Sequence, residues 1–249
     1  MDHFAPRRVR ADLRIEPRIE PRTEPRTDLH AEQTAKESAV PPALADDFFR
    51  LAHDDTTGKP LLHPRAVGIG LASALLGELV CGRRIGIHAG RVYLHDHTPP
   101  EDALAHATFA QLSAQRQYDG VRTWLGFLSR TASEDVAARL WRAGHLRPVT
   151  SRWPLRHAVT YVPTDTLVAV RPAIRLTGRL TRRERLDLVD AFLACLCAAT
   201  GLDRRLLRDA PPPVREHTAG LVHGAPAPLR ELLTHTVAAV GDAVLAYRT

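Results

Sequence analysis

Apolar residues recur along this chain mainly with the spacing of a buried or amphipathic α-helix. Residues 65–81 carry apolar side chains on more than one face, which predicts a deeply buried helix. Thr181 and Glu184 fit a capping box. The segment that follows, 186–200, is almost entirely apolar, so we expect the central core helix there. Helical spacing also recurs over 43–52, 99–117, 121–128, a segment capped by Ser133 that ends at Gly144, and a last helix from Pro226.

Two stretches alternate instead with the period of a β-strand. Residues 84–88 and 91–95 flank Ala89-Gly90, which predicts a β-hairpin. Residues 149–161 mix arginine, tryptophan, histidine and valine, and a second hairpin is expected there. The predicted fold is therefore mostly α, a single-domain helical bundle with a central apolar helix and one or two β-hairpins.

The N-terminal part of the chain has a different composition. Residues 14–28 repeat a unit of arginine, isoleucine or threonine, and an acid, with proline closing the first three units. Regularly spaced proline excludes a helix, and the repeat offers little apolar surface to bury. We therefore expect residues 1–42 to form a disordered tail and residues 43–249 to form one helical domain.

The charge balance favours anionic partners. The chain has 34 lysine and arginine residues against 28 aspartate and glutamate residues, a formal net charge of +6. Basic and acidic residues balance within 1–40, so the excess belongs to the predicted domain. Such an excess suits nucleic acid or an acidic membrane surface, and composition does not choose between them.

The cysteines and apolar segments indicate a cytoplasmic protein. Cys81, Cys195 and Cys197 lie in apolar surroundings, which is typical of buried, reduced thiols rather than a disulfide framework. The apolar segments 67–81 and 186–200 fall short of the roughly 20 residues that a spanning helix needs. The N-terminus lacks the apolar core of a signal peptide. We expect any membrane attachment to be reversible and at the inner face of the plasma membrane.

Motifs for catalysis are largely missing. The chain has no Gly-x-Ser-x-Gly elbow, no phosphate-binding loop with its lysine and no His-Glu-x-x-His pair, which argues against an enzyme. His95, Asp96 and His97 form the most metal-like cluster, because two imidazoles and a carboxylate suit zinc. No further spaced His or Cys pair accompanies them, so a solvated loop is favoured, and we expect neither a metal nor another cofactor.

A cluster of arginines is more informative. Arg182, Arg183 and Arg185 fall in the predicted first turn after the capping box, where the helix dipole disfavours cations. Residues that break such a rule without compensation are candidate functional sites, here for a phosphate or an anionic headgroup. The alternative is that Glu184 and Asp187 neutralise this turn and the arginines are ordinary solvated residues.

The order of several motifs is similar to that of a known family. These motifs are 44–51 (LADDFFRL), 70–79 (GLASALLGEL), 82–85 (GRRI) before the first hairpin, 161–165 (YVPTD) and 200–206 (TGLDRRL). In this order they resemble the Golgi phosphoprotein 3 family, which includes eukaryotic Golgi peripheral-membrane proteins and many proteins from high-GC bacteria. The resemblance covers residues 44–247.

The resemblance implies a non-catalytic, mostly helical domain with a projecting β-hairpin. Eukaryotic members bind the headgroup of phosphatidylinositol 4-phosphate and link Golgi membranes to glycosyltransferase tails and a myosin. The family's headgroup residues, a tryptophan and three arginines, are replaced here by His63, Ala72, Glu134 and Ala137. No headgroup residue is therefore carried over.

Three other arginines lie near those replaced positions. Arg65, Arg139 and Arg142 are the nearest substitutes in sequence. Either they rebuild an anion-binding pocket, or they are ordinary surface arginines, which are common in this chain.

Two functions fit these observations. The first is a non-enzymatic peripheral-membrane or adaptor protein that binds anionic, phosphoinositide-like lipid headgroups or a protein tail. The second is a winged-helix-like DNA-binding regulator, with 121–130 and 135–143 as its helix pair and 149–161 as its wing. The recognition helix would offer only Arg139 and Arg142 for base contacts, so we prefer the first function and do not expect a nucleic acid partner.

Overall fold

The computed structural model describes residues 1, 44–150 and 159–245. Within these ranges the chain forms ten helices and two antiparallel hairpins, which confirms the mostly-α prediction. The helices are α1 (Leu44–Ala52), α2 (Pro64–Cys81), α3 (Ala103–Ala114), α4 (Val121–Leu128), α5 (Ala132–Arg142), α6 (Thr166–Thr181), α7 (Leu188–Thr200), α8 (Asp203–Leu206), α9 (Pro212–Gly224) and α10 (Ala227–Leu245). The strands are β1 (Ile85–His88), β2 (Arg91–Leu94), β3 (Leu146–Thr150) and β4 (Val159–Pro163).

Helix α2 lies at the centre of the bundle. It is apolar all round, every residue over 66–77 is buried, and it packs against α1, α3, α4, α5, α7 and α10. By length and composition α2 also passes the test for a membrane-crossing helix, although 72% of it is buried inside the fold. The helix predicted over 65–81 is present and begins at Pro64, so it is longer than the apolar segment 67–81 that was compared with a membrane span.

Two glycines let neighbouring helices approach α2 closely. A Cβ atom at Gly70 would overlap the ring of Phe48 on α1. A Cβ atom at Gly77 would overlap the ring of Phe192 on α7. Both aromatic rings are almost fully buried, so the absence of a side chain at each glycine is a packing requirement.

Helix α7 is the apolar helix predicted over 186–200, with a later start. Asp187 is its N-cap and accepts a hydrogen bond from the Asp190 N–H at 2.8 Å. Gly201 ends the helix with φ of 78°, a conformation that glycine adopts without strain. The helix packs against α2, α9 and α10, so α2 takes the central position and α7 is one of its main apolar neighbours.

The first hairpin matches its prediction. Strands β1 and β2 pair Ile85 with Leu94 and Ile87 with Val92, and Gly90 takes a positive φ in the turn. The Gly90 N–H donates to Glu231 on α10, and the Gly90 carbonyl accepts from Val121 N–H at 2.9 Å. The turn is therefore fastened to α10 and to the start of α4.

The second hairpin is also present. Strands β3 and β4 pair Pro148 with Tyr161 and Thr150 with Val159. The connection between them falls in 151–158, outside the described residues.

Three helices were not predicted, the short α8 and the longer α6 and α9, and the two longer ones contain proline. Helix α6 holds a buried Pro172 in its interior. Helix α9 begins with Pro212 and Pro213, where the missing N–H groups have no intrahelical partner to lose.

The predictions for the start of α5 and for the N-terminal tail have different outcomes. Helix α5 begins after Thr131 rather than at a Ser133 cap, and the Thr131 side chain makes no capping hydrogen bond. The predicted tail, 1–42, lies almost entirely outside the described residues and stays a prediction.

Candidate functional site

The arginine cluster Arg182, Arg183 and Arg185 does not lie in the first turn of a helix. Helix α6 ends at Thr181, Arg182 is its C-cap, and Arg183 has a positive φ of 53°. The capping-box prediction was wrong because Asp187, not Thr181, supplies the N-cap of the next helix. The three arginines therefore follow the C-terminus of α6, where the helix dipole favours cations.

The cluster is exposed and only partly neutralised. The Arg182 side chain donates to Glu184, which raises the pKa of the guanidinium and lowers the pKa of the carboxyl. The backbone carbonyl of Arg185 accepts a hydrogen bond from Arg179 at 2.9 Å, which holds the segment between α6 and α7 against α6. Within the described ranges, the side chains of Arg183 and Arg185 contact no carboxylate. Two exposed guanidinium groups therefore remain available to an anion.

The arginines on the inner side of α6 behave differently. Arg175 bridges Asp47 on α1 and Asp190 on α7, each at 2.8 Å. Arg179 contacts Asp187 at 3.1 Å and also Asp190. Burial alone would raise the pKa of Asp187, but hydrogen bonds from the Asp190 N–H and from Arg179 outweigh it and lower that pKa. These pairs fasten α6 to the bundle.

Arg139 is occupied by three carboxylates. Its guanidinium contacts Asp46 at 2.8 Å, Asp102 at 2.9 Å and Glu78 at 3.5 Å. Burial raises the pKa of Glu78 and of Asp46, although Arg139 opposes the shift. Burial also works against the charge of Arg139, but attraction to Glu78 and Asp46 outweighs it and raises the guanidinium pKa. Such an arginine joins α1, α2, α3 and α5, and the three carboxylates around it neutralise the charge that a headgroup would need.

Arg65 and Arg142 stand in different relations to Arg139, since Arg142 follows it by one turn of α5 and Arg65 is on α2. Arg65 lies in the first turn of α2, thirteen residues before Glu78, which corresponds to about 20 Å along the helix. Arg142 ends α5, and its Nε donates to the Ala138 carbonyl at 3.1 Å. Both side chains are exposed, and a rebuilt pocket of the three arginines stays a prediction.

None of the four residues at the family's headgroup positions is an arginine or a lysine, and they lie in different surroundings in the fold. Ala72 and Ala137 are fully buried in the helix interfaces. The His63 side chain caps α2 by accepting from the Arg65 N–H at 3.3 Å. Glu134 lies exposed in the first turn of α5.

The metal-like cluster is engaged in other contacts. Asp96 pairs with Arg84 and accepts from Thr98 N–H at 2.9 Å, and His95 packs over Gly86. In the part of the chain that the structure describes, no group of three His, Cys, Asp or Glu residues is arranged to hold a metal ion.

The described cysteines are free thiols without activation. Cys195 and Cys197 are buried and Cys81 is half-buried. Burial raises the pKa of Cys81 and of Cys195 to about 11, so these thiols are neutral at pH 7.

Two open pockets were not anticipated. One of about 510 Å³ lies between α2, β1, α7 and α10 and includes Cys81 and Arg83. Another of about 290 Å³ gathers Tyr93, Tyr118 and Trp124 beside β2. Their linings come from segments far apart in sequence, so no motif marks them, and neither pocket includes any of the six predicted arginines.

A comparison with protein families identifies the fold. The model of the Golgi phosphoprotein 3 (GPP34) family matches residues 44–240, from the first residue of α1 into α10. A search of curated proteins finds no match. Because the family match covers most of the chain and both hairpins, this chain belongs to the Golgi phosphoprotein 3 family.

Proposed function

We propose that this protein is a peripheral-membrane adaptor that docks reversibly on anionic lipid headgroups through the arginines after α6. Members of its family are generally non-catalytic adaptors that bind lipids or proteins. The observation that carries the proposal is the contrast along α6. Arg175 and Arg179 are paired with aspartates, whereas Arg183 and Arg185 are exposed without a carboxylate partner in the described ranges.

The expected energy is modest. A basic residue near an acidic leaflet contributes about 1 kcal/mol, so a few arginines give reversible attachment. The proposal names anionic charge rather than phosphatidylinositol 4-phosphate, because His63, Ala72, Glu134 and Ala137 stand at the family's headgroup positions. We place the protein in the cytoplasm and at the inner face of the plasma membrane, with a protein tail as the expected second ligand.

The DNA-binding alternative has less support. Helices α4 and α5 followed by β3 and β4 give the order of a winged-helix unit. The first turn of α5, which would enter the major groove, carries the acids Glu134 and Asp135. Carboxylates at that place repel the phosphate backbone.

Vesicle co-sedimentation tests the proposal. The full chain is mixed with vesicles of phosphatidylcholine alone, or of equal parts phosphatidylcholine and phosphatidylserine, at low and high salt. We expect binding only to the anionic vesicles, with affinity falling as salt rises. The pair Arg183→Gln and Arg185→Gln should weaken this binding about tenfold or more.

The matched control removes the same charge elsewhere. Arg116 and Arg130 are exposed and lie after α3 and α4. The pair Arg116→Gln and Arg130→Gln should bind like the unaltered protein. Equal losses in both pairs, or binding to random duplex DNA without binding to anionic vesicles, would overturn the proposal.

A further inference from the structure

The outward side of α6 carries large aliphatic residues that the fold leaves uncovered. Leu167 is 78% exposed and Ile174 is 66% exposed. At 100° per residue, Leu167, Arg171, Ile174 and Gly178 lie within about 60° of one another around the helix. The Arg182 guanidinium lies over Gly178 and continues this line. We call these five residues the outer face of α6.

The outer face is distinct from the side that holds α6 on the bundle. Ala169, Pro172, Leu176 and Leu180 point inward and are buried. Arg175 and Arg179 lie at the flank of α6 and form ion pairs with aspartates of α1 and of the start of α7.

Of the two arginines on the outer face, Arg182 pairs with Glu184, whereas Arg171 differs. Arg171 has no carboxylate partner among the described residues, and the outer face itself contains no acid. Beyond α6 the chain turns at Arg183, which has a positive φ of 53°, and there it carries the exposed Arg183 and Arg185. The outer face therefore carries aliphatic and basic side chains, and Glu184 pairs with Arg182 at its C-terminal end.

An anionic bilayer fits this pattern better than a protein groove does. A groove that receives a helix takes apolar anchors at positions i, i+3, i+4 and i+7. Here Leu167 and Ile174 supply i and i+7 and the half-buried Val170 stands at i+3, but i+4 is Arg171, whose charge would have to enter the groove. At a bilayer surface the two aliphatic side chains enter the acyl boundary, while arginines between and beyond them stay at the phosphates.

A second copy of the chain fits less well for a related reason. Two antiparallel α6 helices that brought Leu167 of each copy against Ile174 of the other would centre the contact near Arg171. The two Arg171 side chains would then meet across the twofold axis, where like charges repel.

We propose that α6 lies flat in the interface of an anionic bilayer, with Leu167 and Ile174 inserted and Arg171 among the lipid phosphates. This inference rests on the proposed function and adds to it the orientation of the protein and an apolar contribution to docking. Helix α6 then provides the anchor, and the arginines after it add the electrostatic attraction.

Replacement of the two aliphatic residues tests the inference. The pair Leu167→Gln and Ile174→Gln should leave the circular dichroism and the melting temperature unchanged, because both side chains are exposed. Its partition onto vesicles of equal parts phosphatidylserine and phosphatidylcholine should fall about tenfold or more. The loss should persist at high salt, where apolar insertion is not screened.

Helix α10 offers a matched control. Val237 and Val244 are 54% and 41% exposed and lie seven residues apart, as Leu167 and Ile174 do, and the one charged residue between them in sequence, Asp242, pairs with Arg122. The pair Val237→Gln and Val244→Gln should bind like the unaltered protein. If this control loses as much binding as the α6 pair, the inference is overturned.

The remaining outcomes separate the two proposals. If the unaltered protein binds anionic vesicles and the α6 pair binds equally well, the inference fails while the proposed function stands. If the unaltered protein does not prefer anionic to neutral vesicles, both fail.

Discussion

The hydroxyl groups of Ser73 and Thr236 are hydrogen-bonded at 2.8 Å between α2 and α10, inside an otherwise apolar interface. Both residues are fully buried, and the Thr236 hydroxyl also lies 2.8 Å from the Leu232 carbonyl. Ser73 has no recorded partner other than Thr236 in the described part of the chain. This hydrogen bond therefore fixes the alignment of α2 against α10.

Thr236→Val should destabilise the protein, because it keeps the shape of the side chain and leaves the Ser73 hydroxyl buried without its partner. The expected loss is about 1–3 kcal/mol in the free energy of unfolding. Denaturant unfolding measures it. Adding Ser73→Ala to Thr236→Val should recover much of the loss, and a double variant as weak as the sum of the two single variants would contradict this account.

Glu78→Gln should make the protein relatively more stable as the pH rises. Burial raises the pKa of Glu78 above its ordinary value of 4.5, so its contribution to stability is present at low pH and is lost as the pH rises through the raised pKa. The glutamine side chain does not ionise, so it loses no stability over this pH range, and its oxygen can still accept a hydrogen bond from the Ala45 N–H. Melting temperatures at pH 5 and pH 8 should show the variant gaining on the unaltered protein at the higher pH.

Asp187→Asn should change the pH dependence of stability in the opposite direction. The pKa of Asp187 is lowered, so its contribution is present above the ordinary value of 3.8 and is lost as the pH falls. Because this side chain is largely exposed, the free energy of unfolding of the variant should be lower by less than about 1 kcal/mol at neutral pH. The difference from the unaltered protein should disappear at acidic pH. The same pH trend in both variants would contradict the assignment.

Gly70→Ala should destabilise the protein through a clash with the ring of Phe48. The ring is enclosed between α1 and α2, so overpacking should cost about 1–3 kcal/mol. Gly126 on α4 is the control, since a Cβ there meets nothing within 4 Å. Gly126→Ala should stabilise the helix by about 0.5–1 kcal/mol, so the two substitutions should shift the melting temperature in opposite directions.

Removal of the N-terminal repeat should leave the domain intact. The repeat over 14–28 has little apolar surface to contribute to a core. A chain that begins at Pro42 should therefore melt within about 2–4 °C of the full chain, which is the effect of about 1 kcal/mol in a domain of this size. A larger drop would mean that the repeat packs against the helices.

Much of the fold follows from local pattern. The continuous apolar sequence of α2 and the alternation around Ala89-Gly90 predict both elements correctly, because burial on all sides and turn geometry leave direct marks in sequence. Helix α6 escaped prediction since Pro172 normally ends a helix, and only its burial in the bundle makes it tolerable there.

The candidate site was less predictable because its chemistry depends on distant partners. Arg139 and Arg183 look alike in sequence, but one faces three carboxylates from separate elements and the other faces solvent. The sequence pattern singles out the arginines after α6 as opposing the dipole of the following helix, whereas they lie at the favourable end of the preceding helix. Their candidacy now rests on exposure and lack of partners instead.

The pairing of the α1 acids has a consequence for the order in which the chain folds during synthesis. Helix α1 is made early and can place Phe48 on α2 soon afterwards, but Asp46 must await Arg139, 93 positions later. Asp47 has only Arg50 of its own helix until Arg175 arrives, 128 positions later. Contacts over such separations form slowly. Among the helices of the described residues, the first to be made is therefore one of the last to be secured, and its two acids become fully paired only in a chain complete through α6.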